Sequence, residues 1–349
     1  MNVSNISASA EVAIENKLAV SFKVIIALYL IIPLSFFIYL LDVFYWGNYL
    51  QSILPSSPSH FVLFQIIFGT PHIMASAILL TSNKEYLQFF KTKLIVMTVL
   101  IILVFGVGSL FIPYKVLYII TACWTVYHVF KQQHGIARGI CRLPSWAFYW
   151  LLWLSVTAGI FIYMGIFLKN SLEPAHVEWI KMISTVLTIG LILSSILCQR
   201  YVQTRFGKYF LWSNTLLIVS SFYFYTQQYY FLAILVPRLV HDATAYIFYV
   251  AHDYNKHHQI PQNSIYRLAA RCNLHVFLVL PLLSFSLTYL LQAYGDEWVN
   301  VISQLFFSTD IYKAITLGFI GYLSLMHYYT EAFTWQVGSP LRRYIRFSK

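Results

Sequence analysis

Residues 229–258 read YYFLAILVPRLVHDATAYIFYVAHDYNKHH. From 229 to 252 the run is apolar and long enough to cross a bilayer, which takes roughly 20 residues. It nevertheless carries Arg238, His241 and Asp242 in its interior and runs out into His252, Asp253, His257 and His258. Charged and strongly polar groups are expensive at membrane depth, so they mark function there by default. His241 and His252 are eleven residues apart and return to nearly the same helix face, with Ala245 and Tyr249 between them on that stripe. Arg238 and Asp242 are four apart, close enough to neutralise each other. Pro237 lies one turn before His241, where it frees a carbonyl and kinks the helix.

The whole chain has the same character. Of its 349 residues, 59% are hydrophobic and only 10% charged, with mean hydropathy +0.67. A soluble domain carries about 25% charged residues, so the composition implies an integral membrane protein. The net charge of +11 does not imply nucleic acid, because the basic residues are spread over short loops. Cys123, Cys141, Cys198 and Cys272 show no C-x-x-C spacing and suggest neither a disulfide framework nor a thiolate metal site.

The fold expected is an all-α, polytopic membrane bundle of about ten transmembrane helices: 20–43, 60–81, 94–113, 115–134, 146–168, 178–198, 208–226, 229–252, 273–293 and 312–335. Basic residues fall on alternate loops, such as Lys84, Lys91 and Lys93, then Arg138 and Arg142, then Arg200 and Arg205, then Arg267 and Arg271. Only Lys115, Lys169, Lys181 and Lys313 fall on the loops between. By the positive-inside rule both termini are then cytoplasmic. The expected organisation is a polar N-terminal segment, 1–18, with no cleavable signal peptide; a transmembrane domain, 19–336; and a basic cytoplasmic tail, 337–349. The expected location is a bacterial inner (cytoplasmic) membrane.

Nine of the eleven histidines fall toward the cytoplasmic side of this topology, His60 and His176 being the exceptions. His128, His134, His252, His257, His258 and His275 form a rim close to cytoplasmic cations. His72, His241 and His327 lie deeper, with Asp242 and Glu331. Imidazole is the commonest protein ligand for transition metals. His327 and Glu331 are four apart and share a helix face, so both can reach one ion. His128 and His134 are six apart and point to different faces of a regular helix. Asp253 and His257 are four apart, the spacing of a carboxylate that orients a ligand imidazole. The candidate metal ligands are therefore His72, His128, His134, His241, His252, His257, His327 and Glu331, with Asp242 and Asp253 as orienting or catalytic carboxylates. Neutral imidazoles with one or two carboxylates suit non-haem iron, mono- or dinuclear, ahead of zinc, copper or haem. The chain lacks H-E-x-x-H, G-x-S-x-G and C-x-x-C-H.

In placement, these histidines resemble those of membrane desaturases and alkane hydroxylases, although H-x-x-H-H boxes are absent. Pro71-His72 and the His252–His257 run are also similar to motifs of the Brp/Blh carotene dioxygenases. Here the early motif continues Ile-Met-Ala rather than Gly, and the later spacing is one residue longer. The resemblance implies an iron-dependent oxygenase, hydroxylase or desaturase acting on a lipid or isoprenoid. The expected partners are the bilayer, a hydrophobic small molecule and an electron-donor protein. An ion-coupled or metal transporter is the alternative, since polar intramembrane groups beside prolines suit a carrier. A haem-binding electron-transfer protein is the third reading.

Overall fold

The computed structural model describes residues 17–336 and 338–348, so most of the expected N-terminal segment, and residues 337 and 349 of the tail, lie outside the described residues. Each apolar run expected to cross the bilayer is helical. The helices are α1 (Phe22–Phe44), α2 (Val62–Gly69), α3 (Pro71–Thr81), α4 (Lys84–Leu110), α5 (Tyr114–Cys141) and α6 (Ser145–Phe167). They continue with α7 (Pro174–Tyr201), α8 (Arg205–Thr226), α9 (Tyr230–His257), the short α10 (Ser264–Arg271), α11 (Val276–Phe307) and α12 (Ile320–Thr334). A π-helical turn, Ala314–Phe319, leads into α12.

Six of these helices are long and apolar enough to cross a membrane: α1, α4, α6, α7, α9 and α11. The pair α2 and α3, bent by 41°, raises the number to seven if it forms one broken span. The other three expected spans are helices that miss this mark. Lysines, histidines and arginines dilute α5, asparagine, serines and threonines dilute α8, and α12 has only 15 residues.

The bend between α2 and α3 has a local cause. Pro71 opens α3 at its first turn, where a missing N–H costs nothing, and the residues before it, Gln65–Gly69, form a π-helical turn. Three of the helix starts carry a side-chain cap. Thr204 accepts from the Gly207 N–H at 3.0 Å to start α8, and Asn263 accepts from the Tyr266 N–H at 3.0 Å to start α10. His275 caps α11 by accepting from the Phe277 N–H at 3.3 Å, which gives this rim histidine a structural role. Inside the helices, Thr121, Thr125, Ser184 and Thr188 donate to carbonyls one turn back, which satisfies their hydroxyls.

The chain divides into two compact units. The first comprises the chain up to Ile25, Thr70–Ile95 and Ala245–Lys349; the second comprises Ile26–Gly69 and Val96–Thr244. The first unit is organised around Leu79, Tyr86, Phe90, Tyr249, Leu280 and Phe333. Strands β1 (Ala19–Ser21) and β2 (Arg346–Ser348) pair in parallel within it. The Asn255 side chain ties both termini to α9, accepting from the Leu18 N–H at 2.7 Å and donating to the Tyr344 carbonyl at 2.8 Å.

In the second unit α5 and α6 approach closely at Gly159. A Cβ there would lie 2.7 Å from Phe130 and 2.9 Å from Val126. Small residues permit such approaches, and between membrane helices packing rather than hydrophobicity drives association. Tyr29 of α1, Gln133 of α5 and Asn214 of α8 add a buried hydrogen-bonded group, with the Tyr29 hydroxyl 2.6 Å from Asn214 and 3.0 Å from Gln133.

Candidate metal centre

In the first unit the bend before Pro71 places His72 in the opening turn of α3, where it is 2% exposed. Its ring meets that of His327, from α12, edge to face at 4.8 Å between centroids. Glu331 follows His327 by one turn, and the two present ligand atoms within 4.8 Å of one another. Tyr249 of α9 organises both. Its hydroxyl donates a short hydrogen bond to Glu331 and lies 3.3 Å from His327 Nδ1. A phenol has one proton. With that proton given to the carboxylate, the phenol oxygen accepts from His327 Nδ1–H, and the lone pair of His327 resides on Nε2. That tautomer can bind a metal through Nε2, and a partner on the far nitrogen that fixes the ring is what a ligand histidine requires. Trp335 Nε1–H donates to the same carboxylate at 3.3 Å.

The second unit holds another set. His128 of α5 and His241 of α9 meet edge to face at 4.7 Å, 5% and 1% exposed. Their ring nitrogens lie within 4.8 Å of one another. Asp242 stands beside them, with Oδ1 3.9 Å from His241 Nε2 and Oδ2 3.5 Å from Arg238 Nε. Asp242 thus pairs with Arg238, the four-residue spacing bringing them together, and stands beside the His241 ring.

Other candidates are engaged elsewhere. His134 turns to α6, where Nε2 bonds Ser155 Oγ at 3.0 Å; the six-residue spacing from His128 does put the two on different faces. His257 lies flat on the Tyr266 ring at 3.9 Å, and its Nδ1 accepts from the Gln262 N–H at 3.2 Å. Its neutral form then carries the proton on Nε2, which leaves no lone pair for an ion. His252 Nε2 bonds the Tyr86 hydroxyl at 2.9 Å, and His252 Nδ1 faces Asp253 at 3.4 Å. Asp253 also accepts a short hydrogen bond from Tyr266. Burial, reinforced by that carboxylate, holds the Tyr266 phenol far above its ordinary pKa, so it remains a donor. Asp253 thus accepts from Tyr266 and faces the His252 ring.

Tyr249 is the functional residue the sequence concealed. Its place on the His241–His252 stripe was visible; its bonds to residues of α12 were not. Tyr86, Ser155 and Trp335 carried no signal at all. Comparison with known proteins supplies no relative: no family model matches the chain, and neither does any curated protein or solved structure.

Buried imidazoles and carboxylates gathered in this way could hold a metal ion. Two imidazoles with one carboxylate are the kind of ligands that iron, zinc or copper accept, and they suit neither calcium nor magnesium. Hydrogen bonding from Tyr249 would leave the other His327 nitrogen available to such an ion.

Proposed function

We propose that this protein is an integral membrane oxidoreductase of the non-haem iron type, an oxygenase, hydroxylase or desaturase acting on a lipid or isoprenoid. The observation that carries this reading is the Tyr249 hydroxyl bridging His327 and Glu331, with the His72 ring against His327. His72, His327 and Glu331 would hold the ion. His128 and His241, with Asp242 beside them, are the second imidazole set, so one or two ions per chain are expected. Bound iron supplies O₂ activation. The chain's own residues would orient the ligands and keep bulk water from them. The placement on membrane helices favours a substrate that arrives from the bilayer, and reducing equivalents would come from an electron-donor protein.

The topology proposed with this function has ten spans, the six evident ones and the broken span α2–α3 joined by α5, α8 and α12, with both termini on the cytoplasmic side of a bacterial inner membrane. In such a bundle the polar faces of those three helices would be covered by their neighbours. A haem is disfavoured, because axial imidazoles stand on opposite faces of a porphyrin, and rings meeting edge to face at 4.7 and 4.8 Å leave no slot for one within either pair.

Metal analysis tests the reading. Purified protein is expected to contain iron in stoichiometric amount, and His72→Ala or His327→Ala to lose it. Folded protein that contains no iron and takes up none on reconstitution would overturn it. One feature favours a carrier as the second reading: α2 and α3 are broken by 41°, as in discontinuous transporter helices. Ion flux in proteoliposomes, without substrate oxidation, would decide for it.

A further inference from the structure

We propose that Tyr86 and His252 form a proton-coupled redox pair, connected through Trp335 to Tyr249. The Tyr86 hydroxyl lies 2.9 Å from His252 Nε2. Asp253 Oδ1, 3.4 Å from His252 Nδ1, favours the tautomer with its proton on Nδ1. Nε2 is then the base that accepts the phenol proton. Both residues are fully buried, at 0% exposure, so no substrate reaches the phenol and a role as nucleophile is excluded.

Removing one electron from Tyr86 breaks its O–H bond. The proton passes to His252 Nε2, leaving a neutral phenoxyl and an imidazolium that faces the Asp253 carboxylate. Lys256 sits over the Tyr86 ring at 3.8 Å. A cation there opposes a charged ring and so couples electron loss to proton loss. Glu85, 4.0 Å from Lys256, balances part of that charge.

The neighbours of this pair are aromatic. The His252 ring is 6.3 Å from Trp335, and Trp335 is 5.5 Å from Tyr249. Tyr344, half-buried, lies 5.3 Å from His252 and offers an exit toward the surface. His252 is the base at hand for Tyr86. The relay carries single electrons between a reduced one-electron carrier outside and an oxidant at the Tyr249 end. That use rests on the metal-centre reading, in which the oxidised ion at His327 and Glu331 is the oxidant. The redox pair itself does not.

The test therefore uses an added oxidant. Full-length protein in detergent, in iron-loaded and chelator-treated forms, is exposed to photogenerated tris(bipyridyl)ruthenium(III), which takes one electron and returns to ruthenium(II). The expected product in both forms is a long-lived neutral tyrosyl radical by electron paramagnetic resonance, formed more slowly in D₂O. Tyr86→Phe is expected to abolish the long-lived signal and Tyr344→Phe to retain it. His252→Gln is expected to remove the isotope effect, and Trp335→Phe to remove the tryptophanyl precursor seen in transient absorption. Circular dichroism verifies the fold of each variant. An equal long-lived signal in Tyr86→Phe and the unsubstituted protein would overturn the proposal. Iron content, measured on the same samples, decides the metal reading separately.

Discussion

The imidazoles of His72 and His327 meet edge to face at 4.8 Å, although one opens α3 and the other lies near the C-terminal end of the chain. A pair of buried imidazoles on separate helices has little structural rationale in hydrocarbon, where Leu would pack at lower cost. Tyr249, bonded to His327 and to Glu331 beside it, fixes the His327 ring against that of His72.

Tyr249→Phe keeps the ring and removes the hydroxyl that fixes His327. Loss of an outer partner of a metal ligand weakens binding about 10–100-fold. The expected outcome is that drop in iron affinity by competitive chelator titration, with helix content unchanged. Unaltered affinity would remove Tyr249 from the site.

His134→Ala and His257→Ala separate the ligand candidates from the histidines engaged elsewhere. His134 bonds Ser155 and His257 stacks on Tyr266. Iron content should stay at the level of the unsubstituted protein in both, while His327→Ala loses it. Thermal stability is expected to fall in both, since each side chain is buried.

Arg238 and Asp242 are coupled on α9, 3.5 Å apart and largely buried. Breaking a buried pair on one side typically costs about 3–5 kcal/mol, whereas replacing both partners by apolar groups costs far less. Arg238→Leu should therefore destabilise more than the double variant Arg238→Leu/Asp242→Leu, measured by unfolding in detergent. Additive effects would show that the two charges do not interact.

Gly159→Ala tests the packing of α5 on α6. The added methyl would stand 2.7 Å from Phe130 and 2.9 Å from Val126. Overpacking of this kind costs about 1–3 kcal/mol, and the thermal midpoint should fall. Gly190→Ala, where a Cβ meets nothing within 4 Å, is the matched control and should be neutral or stabilising.

The topology makes its own prediction. Cysteines introduced at residues 203 and 261 should react with a membrane-impermeant thiol reagent only from the cytoplasmic side. Those at residues 170 and 309 should react only from the opposite side. Any other pattern contradicts the reading of the basic loops.

The sequence by itself determined the class of the molecule. A chain with 10% charged residues cannot cover a water-exposed surface, and its runs of apolar residues are long enough to close all backbone hydrogen bonds within helices, as a bilayer requires. The helical segments and the His327–Glu331 pair were legible because they depend on composition and on spacing within one helix. Three of the expected spans, α5, α8 and α12, fall short of the six or seven helices that are long and apolar enough by themselves, because polar side chains or shortness dilute them. What only the tertiary structure decided is which residues meet. His252 and His257 looked as competent as His72 in the sequence, yet one bonds Tyr86 and the other lies on Tyr266. Tyr249 looked like one more aromatic, yet it bonds both His327 and Glu331. A ring nitrogen becomes a ligand through the partner on its other nitrogen, and that partner comes from a helix far away in the chain.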